Sequence, residues 1–254
     1  MGWIALSLFL LGMSKGGFPI GPVALPLLVL VWPDQTQAAR GSVAFMLPML
    51  CLMDIVAMAL YRRHIQWSRL KPLTFGALAG VLAGAILFVS DETALLAISD
   101  RALTACIGLL GLLFVGHRIA RRWLLQRLEA MQPTFGKATG FGLAAGLTST
   151  LAHAAGPVMQ MYLLPQHLPK MQFAATTGAF FFCLNLVKLI PFAMAGRIRA
   201  DALLLGLTLL PVIPLGVLAG FGLVRATRES HYTGLIYTVL TVASIGLVLR
   251  AMNG

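Results

Sequence analysis

Acidic residues are scarce in this chain: 8 aspartates and glutamates stand against 19 lysines and arginines in 254 residues, and charged residues of both signs make up only 11%. Soluble domains carry about 25% charged residues, so a water-exposed globular surface is excluded by shortage of charge. Cysteine is nearly absent too. Cys51, Cys106 and Cys183 lie singly within apolar stretches, which excludes a disulfide framework and a CxxC-type metal site. No phosphate-binding GxxxxGK[ST] loop occurs, so pumping by the chain's own ATP hydrolysis is not expected. The N-terminus lacks the basic n-region and small-x-small cleavage site of a secretory signal, and its first apolar segment is expected to stay in the mature protein.

What the chain has instead is apolar length: 59% of its residues are hydrophobic and the mean hydropathy is +0.88. Eight apolar segments follow one another, at 3–31, 41–60, 72–90, 102–117, 138–165, 172–195, 202–223 and 232–250. A spanning helix needs about 20 residues, with a range of about 17–25. Six segments are close to that length; the first and fifth are longer, and both are interrupted by glycine and proline. The pattern predicts an all-α polytopic membrane protein in a lipid bilayer. Its eight hydrophobic segments form two four-segment repeats, the first segment of each broken or re-entrant.

The two halves match at an offset of 135. Ser14 aligns with Ser149, Gly21-Pro22-Val23 with Gly156-Pro157-Val158, Ala44-Phe45 with Ala179-Phe180, and Arg62 with Arg197. One residue out of that register, GVLAG at 80–84 recurs at 216–220. Leucine identities mean little in apolar helices, but matched glycine-proline breaks in the same order point to duplication. The expected division is an N-terminal transmembrane repeat at 1–117, a basic linker at 118–137 and a C-terminal transmembrane repeat at 138–254.

The net charge of +11 would indicate nucleic acid in a soluble chain. Here the basic residues sit in short loops, where positive-inside sorting accounts for them, and no nucleic-acid partner is expected. The basic connections at 61–71 and 118–137 are therefore expected to be cytoplasmic, opposite the acidic connection at 91–101. If all eight segments span, the halves are parallel; if segments one and five are re-entrant, the halves are inverted. Both arrangements satisfy the loop charges equally, and inverted repeats better suit alternating access.

Three charged residues lie well inside the apolar segments: Lys15, Asp54 and Lys188. Each costs about 2.5–3.5 kcal/mol at the bilayer centre on insertion scales, so each needs a reason. Lys15 can snorkel if the break lies near a membrane surface. Asp54 and Lys188 fall at nearly equivalent repeat positions and can pair structurally. The breaks supply a functional reason. Pro22 and Pro157 each follow a glycine and suit the first helical position, leaving unpaired N–H groups and a positive dipole end aimed into the break. Gly16, Gly17, Gly21 and Gly156 free backbone for close approach. Ser14 and Ser149 add hydroxyls at matched positions, and Lys15 adds full charge. His153 is a structural residue or a titratable donor, and Asn185, three residues before Lys188, is a polar lining residue or an interhelical hydrogen-bonder. The ligand this set suits is a small oxyanion. Ser149 and His153, four apart, invite comparison with a membrane serine hydrolase, but no nucleophile-elbow sequence surrounds Ser149.

GMSKGGFPIGPVALPLL, QAARGS and MDIVAMALYRRHIQW in the first half, with GLTSTLAHAAGPVMQMYLL, FAATTGAFFFCLNLVKLIPF and GVLAG in the second, resemble the TauE/SafE sulfite exporter family over essentially the whole chain. The resemblance implies a small transporter of two related halves in a bacterial inner membrane, handling sulfite, organosulfonates or related anions. It also implies that Ser14, Lys15, Gly16, Gly17 and Pro22 contribute to the permeation site, with Asp54, Arg62, Asn185 and Lys188 at further polar positions. The second break departs from the family pattern: STLAHAAGP is less glycine-rich than in many members.

The expected function is a secondary transporter, an exporter of sulfite or a related sulfur-containing anion working by alternating access, with Asp54 as the candidate for proton coupling. It is not an enzyme and needs no cofactor or metal. The alternatives are a passive small-anion channel, a membrane hydrolase using Ser149 and His153, and a subunit without transport of its own. On these grounds Lys15→Met is expected to weaken anion binding far more than it lowers stability.

Overall fold

The computed structural model describes residues 2–18, 20–89, 98–128, 134–226 and 230–253. Their regular structure consists of helices α1 (Gly2–Lys15), α2 (Gly21–Val31), α3 (Ala38–Tyr61), α4 (Trp67–Leu70), α5 (Thr74–Val89), α6 (Asp100–Leu128), α7 (Phe135–Ala152), α8 (Gly156–Leu163), α9 (Lys170–Met194), α10 (Ala200–Thr208), α11 (Val212–Ala226) and α12 (Ser230–Asn253), with short 3-10 turns between some of them. Ala38–His64, Trp67–Phe88 and Met171–Met194 are long and apolar enough to cross a membrane. Trp3, Phe75, Leu113 and Met194 are among the large apolar side chains on the outside, as a lipid-facing surface requires.

The expected breaks in segments one and five are both present. Gly17 ends α1 with φ +100°, a backbone that side-chain-bearing residues rarely adopt. The Gly17 amide donates to the Ser14 carbonyl at 3.0 Å and the Phe18 amide to that of Met13 at 3.1 Å, a glycine cap on the last carbonyls. Pro22 stands in the first turn of α2. The turn brings Gly21 back so closely that a Cβ there would lie 2.4 Å from Ser14 Oγ. At about 1.5 Å per residue α1 is about 21 Å long and α2 about 16 Å, each short of a hydrocarbon core of about 30 Å.

Segment seven differs from expectation: it is two helices, α10 and α11, parted at 209–211. Pro211 has no N–H to continue α10 and its ring restricts the preceding residue. Segment four runs on as α6 to Leu128, through the first part of the connection read as 118–137. The rest of that connection at 129–133, and Asp91 and Glu92 of the acidic connection, lie outside the described residues. Asp100 and Arg101, from that same connection, are committed to helix ends. The Asp100 carboxylate accepts the Arg40 amide at 2.8 Å and the Ala39 amide at 3.3 Å, capping α3. The guanidinium of Arg40, 2% exposed, donates to the Ile98 carbonyl and lies over the Phe88 ring. Arg101 donates to the last carbonyls of α12, at Ala251 and Met252.

The closest helix pairs are built on glycine. α7 packs against α5 and α1 against α11. A Cβ at Gly80 would lie 2.2 Å from the Leu143 carbonyl oxygen, and one at Gly146 2.3 Å from that of Ala77. Across the other seam, Gly16 would meet the Val217 carbonyl at 2.2 Å and Gly220 that of Met13 at 2.1 Å. GVLAG thus does the same work in α5 and α11: small residues spaced by four let two backbones touch where lipid provides no hydrophobic drive.

Gly80→Ala is therefore expected to lower stability in detergent by about 1–3 kcal/mol, the usual cost of overpacking. Gly140→Ala, where a Cβ meets nothing within 4 Å, is expected to leave the melting temperature unchanged or slightly raised. Equal shifts in thermal melts of the two variants would contradict the seam.

Candidate functional site

Thr177, Phe181, Asn185 and Lys188 follow one another on α9 at spacings of four, four and three, which places them along one helix face. α9 packs against α3, so that stripe meets Asp54. Lys15, in the last turn of α1, reaches the same point: its Nζ lies 2.6 Å from Asp54 Oδ1, with the two side chains 8% and 0% exposed. Asn185 Nδ2 donates to Asp54 Oδ2 at 2.7 Å. Both carboxylate oxygens are thus engaged, the condition under which a buried ion pair can offset its desolvation. The structure corrects two sequence readings here. Asp54 pairs with Lys15 rather than with Lys188, and Lys15 is buried in that pair rather than snorkelling to a surface.

Lys188 is fully buried. Its Nζ lies 3.0 Å from each of three acceptors: the Ser149 carbonyl, Ser149 Oγ and His153 Nδ1. An ammonium has three hydrogens, and all three are used. His153 ends α7 with φ 48°, a left-handed conformation costly for a residue with a side chain. Its ring is fixed at both nitrogens, Nδ1 by Lys188 and Nε2 at 2.9 Å from the Val43 carbonyl. A carbonyl only accepts, so Nε2 carries the hydrogen. This arrangement does not form the Ser149–His153 pair on which the hydrolase reading rests. The partner of Ser149 Oγ is Lys188, and neither ring nitrogen of His153 faces it as a base.

A cavity of about 210 Å³ lies between the two breaks. Ser14, Lys15, Gly17, Gly21, Ser149, His153, Gly156, Pro157 and Asn185 line it, so most of the residues expected at the site are brought together. Both α2 and α8 begin on its wall, and Lys15 Nζ lies 5.0 Å from the centre of the Phe181 ring beside it. A cavity of that volume accommodates a small oxyanion with part of its hydration or a modest organic anion.

Of the expected residues, Gly16, Lys188 and Asp54 stand apart from that wall, and the side chain of Pro22 lies outside the described residues. Gly16 serves the seam with α11, and its carbonyl accepts the Tyr61 hydroxyl at 2.8 Å. Lys188 and Asp54 lie behind the lining, in contact with Ser149, His153, Lys15 and Asn185. Sequence reasoning missed Tyr61, Gln160 and Thr177. Gln160 and Thr177 line the cavity, and the Thr177 hydroxyl is a buried oxygen without a hydrogen-bond partner. The signal for Thr177 was there: it begins the polar stripe that runs on through Asn185 to Lys188. Tyr61 follows Asp54 by seven, two helical turns along the same face.

Formally the buried charged groups on and behind the wall are two lysines and one aspartate. No carboxylate lies within 4.0 Å of Lys188 among the described residues. An uncompensated buried cation is expensive.

No significant match was found among curated proteins or solved structures. The family model described as sulfite exporter TauE/SafE matches residues 4–247, nearly the whole chain and both breaks. With that match, the apolar helices and the broken helix pairs, the chain belongs to the TauE/SafE sulfite exporter family of integral membrane transporters.

Proposed function

We propose that this protein is a secondary transporter, an exporter of sulfite or a small sulfonate in a bacterial inner membrane, and that the cavity between the breaks is its substrate site. The observation that carries the reading is the charge excess: Lys15 on the wall and Lys188 behind it face a single carboxylate, and both helix starts, at Gly21 and Gly156, open onto the same space. In this reading Lys15 and the helix N-termini hold the anion, and Ser14, Ser149, Thr177 and Asn185 orient it. Asp54 pairs with Lys15, so carboxylate and substrate compete for one ammonium. That competition makes Asp54 the residue through which loading is communicated, and its candidacy in proton coupling rests on the same contact.

Alternating access is proposed to come from two related halves. α1 against α11 and α7 against α5 are the same pairing with the halves exchanged, as the offset of 135 requires. α1 and α2 are each too short to span, which favours a re-entrant hairpin and hence inverted halves. The basic connections at 61–71 and 118–137 are then cytoplasmic.

Lys15→Met alone is a poor test, because it strands Asp54; breaking a buried pair costs about 3–5 kcal/mol. The informative comparison is Lys15→Met/Asp54→Asn against Asp54→Asn. Asp54→Asn is expected to bind methanesulfonate or sulfite at least as tightly as the wild type, since the competing charge is gone. The double variant is expected to lose at least tenfold in affinity, about 1.4 kcal/mol, while regaining most of the stability lost in Lys15→Met. Equal anion affinity in the two would remove Lys15 from the site.

In proteoliposomes, sulfite is expected to accumulate against its gradient when a proton gradient is imposed. Strictly downhill flux would make the protein a passive channel.

A further inference from the structure

Lys188 has no part in the competition between Asp54 and the anion. It has no carboxylate, it is shut away from the cavity, and its polar neighbours are all neutral acceptors: the two Ser149 oxygens and His153 Nδ1. The contact between Nζ and Nδ1, at 3.0 Å, joins two basic nitrogens, and the hydrogen bond between them needs one hydrogen. With Nε2 committed to the Val43 carbonyl, the protonated pair is an ammonium donating to neutral imidazole or a neutral amine accepting from imidazolium, and once the proton leaves the neutral amine still donates one of its own hydrogens to Nδ1. While protonated the pair shares a single positive charge, and it loses that charge as a unit when the proton leaves.

The elements around the pair limit what else can answer that charge. α3 contributes Asp54 and Cys51, and α1 contributes Lys15. α5 carries no titratable residue; α9 itself adds the neutral Asn185, the Cys183 thiol and, at its far end, Lys170, and α7 carries Lys137 near its start, far from His153. The basic residues of the 62–69 stretch meet α9 around Thr176, where the Gln66 amide donates to the threonine hydroxyl. That point is twelve residues, about 18 Å, from Lys188 along the helix. Asp54 is held by Lys15 and Asn185. The charge on the pair is therefore unbalanced until an anion enters the cavity that His153 and Ser149 line. Ser149 connects the two: its oxygen accepts from Lys188, leaving its own hydroxyl hydrogen to donate to an anion. A donor polarised in this way is strengthened by the charge behind it.

We propose that Lys188 and His153 hold one proton between them, and that this proton is bound together with the anion, so that the transporter loads an anion and a proton as a neutral set. The proposal rests on the anion-site reading above and assigns the coupling proton to this pair rather than to Asp54. By linkage each ligand raises the affinity for the other. Where the pair is already protonated, anion affinity is independent of pH. At higher pH the proton has to be taken up on binding, and the affinity falls, approaching about tenfold per pH unit.

The test uses methanesulfonate, a monoanion throughout the range, so that any pH dependence belongs to the protein. Titration calorimetry of the purified full chain, across pH and in two buffers of different ionisation enthalpy, gives affinity and proton uptake together. In the wild type, affinity is expected to fall on the alkaline side with uptake approaching one proton per anion. Lys188→Met is expected to flatten the profile. Lys188→Arg, which cannot lose its charge, is expected to bind with no proton uptake and to keep its affinity at high pH. Asp54→Asn is expected to keep the slope. Should neither Lys188 variant fold, the wild-type proton count still decides, with the Asp54→Asn profile naming the group. Binding without proton uptake at any pH, or a slope lost in Asp54→Asn and kept in either Lys188 variant, overturns the proposal while leaving the anion site standing. No binding by the wild type of methanesulfonate, sulfite or any other small sulfonate at any pH removes the anion site and this inference with it.

Discussion

The contact between Lys15 and Asp54 organises the centre of the molecule. A lysine and an aspartate at membrane depth are each too costly to leave alone, and 39 residues of chain separate them, so each fixes where the other's helix can lie. Asn185 answers the second carboxylate oxygen and ties α9 to the same point. The break at Gly16–Ile20 lets the last turn of α1 deliver an ammonium to α3 while α2 starts afresh from Gly21. The cavity is what remains between that break and the one at His153–Ala155. Its position is set by polar groups that have to meet, and its apolar walls fill in around them.

The two breaks solve one geometrical problem with different chemistry. At the first, glycine takes the left-handed conformation without cost and the backbone caps itself. At the second, a histidine takes it, and the strain is held by bonds from both ring nitrogens to α9 and α3. The first turn depends only on local sequence, whereas the second forms only once three helices are in place. Ser14 and Ser149 match across the halves, yet only Ser149 has a lysine behind it, so the two sides of the cavity differ in what they offer a ligand.

The helical, membrane-embedded character and the two broken segments were legible in the sequence because each follows from local rules: apolar length, glycine and proline. Most of the cavity lining was legible for the same reason, since a break at membrane depth needs a ligand or a partner. Partnership was not. Lys15, Asp54 and Lys188 stood out individually, but one-dimensional spacing favoured Asp54 with Lys188, and only packing shows that α1 reaches Asp54 first. Gly16 packs against α11, and in sequence a glycine that admits a neighbouring helix looks like one that frees backbone for a ligand. Tyr61 was hidden by its place at a segment end beside Arg62, where an aromatic reads as an interfacial anchor. The division of segment seven was signalled by Pro211, but a proline inside an apolar run is also compatible with a kinked continuous span.

The glycine seams have a mechanical consequence. Most helix pairs interlock, with side chains of one seated in hollows of the other, and shifting them means lifting every knob over a ridge. Where α1 meets α11 and α7 meets α5, the meeting surfaces are largely bare backbone. A surface without ridges offers little resistance to sliding along its length while still resisting separation. In the alternating access proposed above, these two strips are the places where one helix would slide past another.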